Sequence, residues 1–162
     1  MARPARAIAA LLCVVALAAT VAAAPALDGH VVRVVDGDTI HVRLGDRIET
    51  VRYIGVNTPE VHHPRKGEEP GGREAAAVNH DLVGGRHVRL ELDAQSRDRY
   101  GRLLAYVWVD ETMVNAELVR RGFAQVMTVP PNVRHQRLFL TLQREARAAG
   151  RGLWAEPEPV AR

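Results

Sequence analysis

The sequence contains almost no cysteine and almost no lysine, and each shortage narrows what the protein can be. Cys13 is the single cysteine among 162 residues, so no disulfide can form within the chain. Lys66 is the single lysine among 22 basic residues, and all the others are arginines. Arginine can hold a phosphate with a bidentate fork, which lysine cannot do. Genome composition produces the same bias, so both interpretations stay open.

A strong imbalance of charge is also missing. The 22 basic and 19 acidic residues give a net charge of +3, and loss of a leader containing Arg3 and Arg6 lowers it further. Net charge therefore does not argue for nucleic-acid binding, and any such argument must rest on where the charges lie. The hydrophobic content of 47% and charged content of 25% are typical of a soluble globular protein with one core.

The N-terminal segment has the features of a signal peptide. Arg3 and Arg6 precede an uncharged run over residues 7–27, and small residues follow in the pattern that signal peptidases cut. Cleavage after Ala26 predicts a secreted or periplasmic protein. The run is also long enough to span a bilayer, so a retained membrane anchor is the alternative.

These boundaries divide the chain into three parts. We predict a signal peptide at residues 1–26, one folded domain at residues 27–156 and a disordered tail at residues 157–162. The tail is rich in proline and lies at a chain end, where order is usually lost.

Alternating apolar residues predict three strands at the start of the domain. They cover residues 31–35, 40–44 and 48–56, and they are separated by turns at residues 36–38 and 45–46. Pro59 ends the third strand, since it biases Thr58 away from helix. Residues 61–72 contain two prolines and three glycines, which predicts a mobile loop.

The rest of the domain alternates between helices and strands. A helix is predicted over residues 73–83, and a short helix over residues 113–121 ends at Gly122. Two more strands cover residues 86–92 and 102–109. Asn132 is predicted to cap a last helix that reaches Ala149. Five strands and three helices, with a helix between strands three and four, predict a mainly β, α+β fold: a five-stranded OB-type barrel.

One arginine inside an apolar strand requires a special explanation. Alternation in the segment VRYIGV predicts that Arg52 shares a face with Ile54 and Val56, where an unpaired charge is costly. Asp38 and Glu60 are the candidate partners.

Arg102 poses the same question, because it begins a strand face that continues through Leu104, Tyr106 and Trp108. Two arginines and two acids directed at one place predict a polar cluster. At this level it is either a structural salt-bridge network or a functional site.

Four segments resemble signature segments of the staphylococcal nuclease family, also called thermonuclease. They are VVDGDTIHV, VRYIGVNTPE, DRYGRLLAYVWV and MVNAELVRRGFAQV, in the same order and at compatible spacing. The resemblance covers roughly residues 30–154. It implies a five-stranded OB barrel with three helices, and calcium-dependent hydrolysis of DNA and RNA to 3′-phosphate products.

The resemblance also implies roles for individual residues. Asp38 matches the metal-binding aspartate, and Thr58 matches the residue whose backbone carbonyl reaches the metal. Glu60 matches the acid beside the attacking water. Arg52 and Arg102 match the two arginines that embrace the scissile phosphate.

Two further positions match a pair that contacts the nucleotide. Arg99 and Tyr100 correspond to the basic and aromatic residues on its phosphate and ring. Asp36 resembles an acid near the metal, although a role in the turn is an equal alternative.

The sequence departs from the family pattern in two places. Asn57 stands where the best-known members have a second aspartate ligand; an amide oxygen can still bind Ca²⁺, but with less charge, which predicts weaker calcium binding. The segment at residues 127–130 replaces tyrosines that pack against the nucleotide. Base stacking contributes about 1–3 kcal/mol per base, so its loss predicts weaker substrate binding.

Two classes of function follow from these observations. The first is an exported, monomeric calcium-dependent endonuclease that acts on DNA and RNA, with single strands preferred. In it Glu60 activates water while Arg52 and Arg102 stabilise the transition state. The alternative is a catalytically silent OB module that binds nucleic acid or protein.

Overall fold

The structure is a computed structural model that describes residues 26–61 and 67–155. The predicted signal peptide, apart from Ala26, and the predicted tail at residues 157–162 lie outside the described residues. So does the central part of the predicted loop, residues 62–66. Among the described residues, every helix is too short or too polar to cross a bilayer.

A closed barrel of five main strands forms the centre of the molecule. These strands are β1 (Ala26–Asp36), β2 (Thr39–Leu44), β3 (Arg47–Tyr53), β5 (His87–Glu91) and β6 (Leu103–Val109). The antiparallel order β3-β2-β1-β5-β6 is closed by parallel pairing of β3 with β6. Three helices accompany them: α1 (Gly72–Val83), α2 (Val114–Arg120) and α3 (Gln136–Ala148). The predicted barrel with three helices is confirmed.

Three two-residue strands complete the sheet structure: β4 (Val56–Asn57), β7 (Thr112–Met113) and β8 (Gln125–Val126). β4 pairs with β8 rather than continuing β3, so the predicted third strand at residues 48–56 is too long. The chain turns at Gly55, whose φ of 79° favours glycine. A Cβ on this glycine would also lie 2.7 Å from the ring of Phe139.

The interior of the barrel is filled by aliphatic side chains that alternate along the strands. The strand residues that are at most 5% exposed include Val31, Ile40, Val42, Val51, Leu90, Leu103, Ala105 and Val107. The residues between them along each strand point outward. This outer face of the barrel carries Arg52, a predicted site residue.

A charged cluster fixes the start of α3 against β5. Glu91 Oε1 accepts hydrogen bonds from Arg134 Nη1 (2.9 Å) and lies 3.0 Å from His135 Nε2, while Glu91 Oε2 accepts one from Trp108 Nε1 (2.9 Å). Burial alone would raise the pKa of Glu91, but the hydrogen bonds from Arg134, His135 and Trp108 outweigh it and hold that pKa below its usual 4.5. The ionised carboxylate therefore stabilises the folded state.

The predicted capping role of Asn132 is wrong. α3 begins only at Gln136, with His135 at the N-cap position. The Asn132 side chain instead binds the backbone of Gln95, accepting from its N–H at 2.7 Å and donating to its carbonyl at 2.8 Å. A cap is a local contact, whereas this amide is used to join two loops 37 residues apart.

Candidate active site

The tight turn between β1 and β2 brings Asp38 to the edge of the candidate site. Asp36 Oδ1 accepts a hydrogen bond from the Asp38 N–H at 3.1 Å, so Asp36 shapes the turn. A Cβ on Gly37 would lie 2.6 Å from Thr58 Oγ1, and only glycine permits this close approach. The turn is thereby packed against the segment that follows β4.

The Asp38 carboxylate joins the turn to that segment. It is 5% exposed, and its Oδ2 accepts a hydrogen bond from the Thr58 N–H at 2.8 Å. The same oxygen lies 3.1 Å from Arg52 Nη2, and Oδ1 accepts from Thr39 Oγ1 at 3.1 Å. The sequence-based pairing of Asp38 with Arg52 agrees with this geometry.

Arg52 is buried and makes polar contacts with both of its terminal nitrogens. Nη1 donates to the carbonyl oxygens of Tyr53 (2.7 Å) and Val56 (2.8 Å), and Nη2 donates to Asn57 Oδ1 (3.0 Å). The guanidinium thus organises the chain that leaves β3 as well as Asp38. Charge-assisted bonds of this kind are stronger than bonds between neutral groups.

The predicted strand face of Arg52 is wrong. Arg52 pairs with Thr39 of β2 and with Leu104 of β6, and it shares the outer face with them. It does not share a face with Ile54 and Val56, because β3 ends at Tyr53 and the chain turns before Val56. Alternation applies only while a strand continues.

Glu60 faces the same cleft as Arg52 but is not its ion-pair partner. Across the described residues, the ion pair of Arg52 is with Asp38. Glu60 is exposed, and its backbone is bonded to Glu69 through the Glu60 N–H to Oε2 (3.1 Å) and the Glu69 N–H to the Glu60 carbonyl (2.9 Å). Its carboxylate can therefore meet solvent and substrate.

Arg102 lies just before β6 and is oriented by an acid that the sequence interpretation missed. Arg102 Nε donates to Asp98 Oδ2 at 2.8 Å, and Asp98 Oδ1 accepts from the backbone N–H groups of Tyr100 (2.9 Å) and Arg102 (3.0 Å). Burial opposes the charge on Asp98, but its hydrogen bonds with Arg102 and the backbone lower its pKa below the usual 3.8. The sequence did carry a signal for this role. Asp98 is the first residue of the segment DRYGR, where an aspartate can accept hydrogen bonds from the backbone of its own turn.

Arg99 and Tyr100 form the exposed rim of the site. The Arg99 guanidinium carbon lies 4.7 Å from the centre of the Tyr100 ring, and that of Arg102 lies 5.6 Å from it. Tyr100 is 68% exposed, so its ring remains available to a ligand. An exposed aromatic ring beside two cations suits a nucleotide, which offers both a ring and a phosphate.

A cleft of about 490 Å³ brings most of the predicted residues together. Its polar lining includes Arg52, Asn57, Glu60, Arg99, Tyr100 and Arg102. Met127 and Val129 line another wall and are 43% and 58% exposed. Asp38 and Thr58 are not part of the lining and lie behind it, in contact with Arg52 and Asn57.

The oxygen atoms around Asp38 are of the kind that a hard cation binds. The predicted ligands are the Asp38 carboxylate, the Asn57 amide oxygen and the Thr58 carbonyl, and calcium accepts all three types. Burial, and then the negative charge of nearby Asp38, raise the pKa of Asp36 to about 6. A cation beside these two acids would relieve that repulsion, and the three ligand types are ones that calcium accepts.

Asn57 stands where the family resemblance leads us to expect a second aspartate, and its side-chain amide is held by two hydrogen bonds. Its Oδ1 accepts from Arg52, and its Nδ2 donates to the Thr58 carbonyl at 3.3 Å. In the described residues no group of three or more histidine, cysteine, aspartate or glutamate side chains converges as a metal site. Any cation here must therefore rely on amide and backbone oxygens in addition to Asp38.

Comparison with known proteins agrees with the family resemblance seen in the sequence motifs. The family described as "Staphylococcal nuclease homologue" matches residues 50–156. The chain is 38% identical to "Thermonuclease" of Staphylococcus hyicus over 77% of this chain and 74% of that protein. It is 39% identical to "Thermonuclease" of Staphylococcus intermedius, over 75% of this chain and 73% of that protein. "Endonuclease YncB" of Bacillus subtilis is also 39% identical, over 76% of this chain and 60% of its own length.

Proposed function

The chain belongs to the staphylococcal nuclease family, and from this premise we propose that it is a calcium-dependent endonuclease acting on DNA and RNA. Relatives named thermonuclease and endonuclease support a nuclease hydrolase. The observation that carries the proposal is one cleft lined by Arg52, Glu60 and Arg102, with Asp38 directly behind it. A module that only binds nucleic acid has no need of an exposed acid in the same cleft as two oriented arginines.

Calcium would be held by Asp38, the amide oxygen of Asn57 and the carbonyl of Thr58. When bound, it supplies positive charge beside the phosphate and orients that group. The side chains of the protein itself supply the rest of the chemistry.

The two arginines bind and stabilise the phosphate. Negative charge grows on its non-bridging oxygens as the attacking oxygen approaches. Arg102 supplies donors there, and Arg52, whose terminal nitrogens already contact Tyr53, Val56, Asn57 and Asp38, supplies positive charge. Asp98 holds Arg102 in place through the bond to Nε. Removing one such donor typically reduces kcat by about 10²–10³.

Glu60 receives the proton of the attacking water. The water oxygen forms a bond to phosphorus, and the bond between phosphorus and the 5′ oxygen breaks. The leaving 5′ oxygen takes a proton from solvent, and the phosphate stays on the 3′ side. Glu60 is suited to this role because it is exposed in the cleft and makes no ion pair with Arg52, so its carboxylate can reach a water.

The substrate interface favours an unpaired strand. Tyr100 presents an exposed ring at the rim, and stacking on a ring requires a base that is free of its own partner. We therefore expect denatured DNA and RNA to be cut faster than duplex DNA. We also expect the protein to act as a monomer.

The place of action proposed for this nuclease is outside the cytoplasm. This part of the proposal rests on the sequence of residues 1–26 alone. Mass measurement of the exported protein tests it: a chain that begins at Leu27 supports cleavage, and a full-length chain in the membrane fraction supports the anchored alternative.

Digestion of denatured DNA tests the central proposal. With calcium we expect fragments whose 3′ ends must be treated with phosphatase before a polymerase can extend them, and with EDTA we expect intact DNA. Arg102→Gln should abolish most of the cutting, whereas Arg86→Gln, an exposed arginine outside the cleft, should not. DNA that is retarded in a gel but stays intact in calcium would support the binding-module alternative instead.

A further inference from the structure

The outer face of β2 extends from the candidate active site to a second arginine. Thr39 of β2 pairs with Arg52 of β3, so these two residues share a face. His41 and Arg43 follow at alternate positions of β2 and point to the same side as Thr39. At about 3.4 Å per residue, Arg43 lies about 14 Å along the strand from the row that contains Arg52.

β1 adds a third arginine to this face. Arg33 pairs with His41, and the register shifts between Val31 and Arg33, where the bulge leaves Val32 40% exposed. Arg33 and Arg43 are both exposed. The row with Arg33 lies about 7 Å from the row with Arg52, so the face has cationic groups at three successive levels. We call the pair Arg33 and Arg43 the arginine track.

The arginine track has no acidic partner within residues 26–61 and 67–155. Arg52, Arg97 and Arg102 form ion pairs with Asp38, Glu49 and Asp98, respectively. No such pair involves Arg33 or Arg43. A single exposed arginine is ordinary surface, but these two unpaired ones lie on adjacent strands, on the same face as Arg52, with Asp36 beside Thr39 as the acid of that face.

We propose that the arginine track binds phosphates of the polynucleotide substrate beyond the scissile phosphate. The inference rests on the proposed function and adds an extended backbone-binding surface to it. Its ligand is a single-stranded polynucleotide that runs from the cleft across β2 and β1, with His41 between the two arginines as a further polar contact. Because arginines that meet phosphates read no base, the track adds affinity without sequence preference.

Binding in EDTA tests this proposal without any need for cleavage. Fluorescence anisotropy compares a short oligothymidylate that fills only the cleft with one several times longer, over a series of salt concentrations. Wild-type protein should bind the longer strand more tightly. In Arg33→Gln/Arg43→Gln this gain with length should fall sharply, and the salt dependence should decrease by about 1.4 in slope, since each phosphate contact on a single strand contributes about 0.7.

A matched variant controls for loss of charge. Arg137→Gln/Arg144→Gln removes the same charge from exposed positions of α3, away from β1 and β2, and should keep both the gain with length and the salt slope. Thermal melts of both variants should match wild type, because all four side chains are exposed.

The outcomes separate this proposal from the proposed function. If Arg33→Gln/Arg43→Gln binds the long strand with the wild-type slope, or if the control variant loses as much, the arginine track is refuted. If wild type cuts nothing in calcium but its gain with length depends on the arginine track, the surface stands and the nuclease proposal falls.

Discussion

Replacing Arg52 with lysine keeps the positive charge but removes the planar fork, which makes it a sensitive test of this site. The guanidinium makes four polar contacts, to the carbonyls of Tyr53 and Val56, to Asn57 and to Asp38. A lysine ammonium is a single point, and from one position it can reach either the carbonyls or the acid and amide. We therefore expect at least two contacts to be lost.

The magnitude follows from these contacts. Hydrogen bonds to charged groups contribute about 1.5–3 kcal/mol each, so loss of two lowers the free energy of unfolding by about 3 kcal/mol or more. For a domain of this size about 1 kcal/mol corresponds to about 4 °C, which predicts a fall in Tm of about 12 °C. In addition, we expect kcat to fall by about 10² or more, because without these contacts the positive charge is no longer held at its place in the cleft.

The measurement is a thermal melt together with kcat on denatured DNA. Arg86→Lys is the matched control, since Arg86 forms one exposed ion pair with Asp110; such a change usually stays within about 0.5 kcal/mol. If Arg52→Lys melts within about 3 °C of wild type, the contacts of Arg52 do not stabilise the fold to this extent. If kcat is also unchanged, the planar fork of Arg52 is not needed for catalysis.

Three other changes test separate parts of the site and fold. Asn57→Asp should tighten calcium binding by about tenfold, or about 1.4 kcal/mol, in isothermal titration; equal or weaker affinity would show that charge at this position does not limit the ion. Glu60→Gln should lower kcat by about 10²–10⁴ and leave KM close to wild type, whereas a change confined to KM would mean that Glu60 only binds substrate. Glu91 has a lowered pKa, so the stability it contributes is complete above pH 4.5 and is lost as the pH falls through its folded pKa. Glu91→Gln should therefore be less stable at neutral pH, by about 1–3 kcal/mol. In urea unfolding, its free energy of unfolding should also vary less with pH below 4.5. An unchanged acid dependence would mean that Arg134 and His135 do not stabilise the charged form.

The sequence predicted the elements that depend on local patterns. The helix expected at residues 73–83 is observed at Gly72–Val83, and the strand expected at residues 40–44 is observed at Thr39–Leu44. Glycines and alternating apolar residues act over a few positions, so they can be read directly from neighbours in the chain.

Contacts between distant segments could not be predicted in this way. Asparagine is a residue type that often caps helices, yet the Asn132 amide forms its hydrogen bonds with the backbone of Gln95 in another loop. Arg102 pairs with Asp98, whereas the sequence pattern predicts Asp38 and Glu60 as the acids of the cluster. In each case several partners were chemically acceptable, and the packing of the barrel selected one.

The sequence by itself determined which chemical groups the protein has: the acids, amides and arginines of its motifs and the apolar alternation that makes them part of a barrel. Only the tertiary structure decided which of these groups meet. Arg52 contacts Asp38 and faces outward beside Leu104 because β3 ends at Tyr53 and the sheet closes through β3 and β6. Alternation fixes the two sides of a strand, but the closure of the barrel fixes which side faces the cleft.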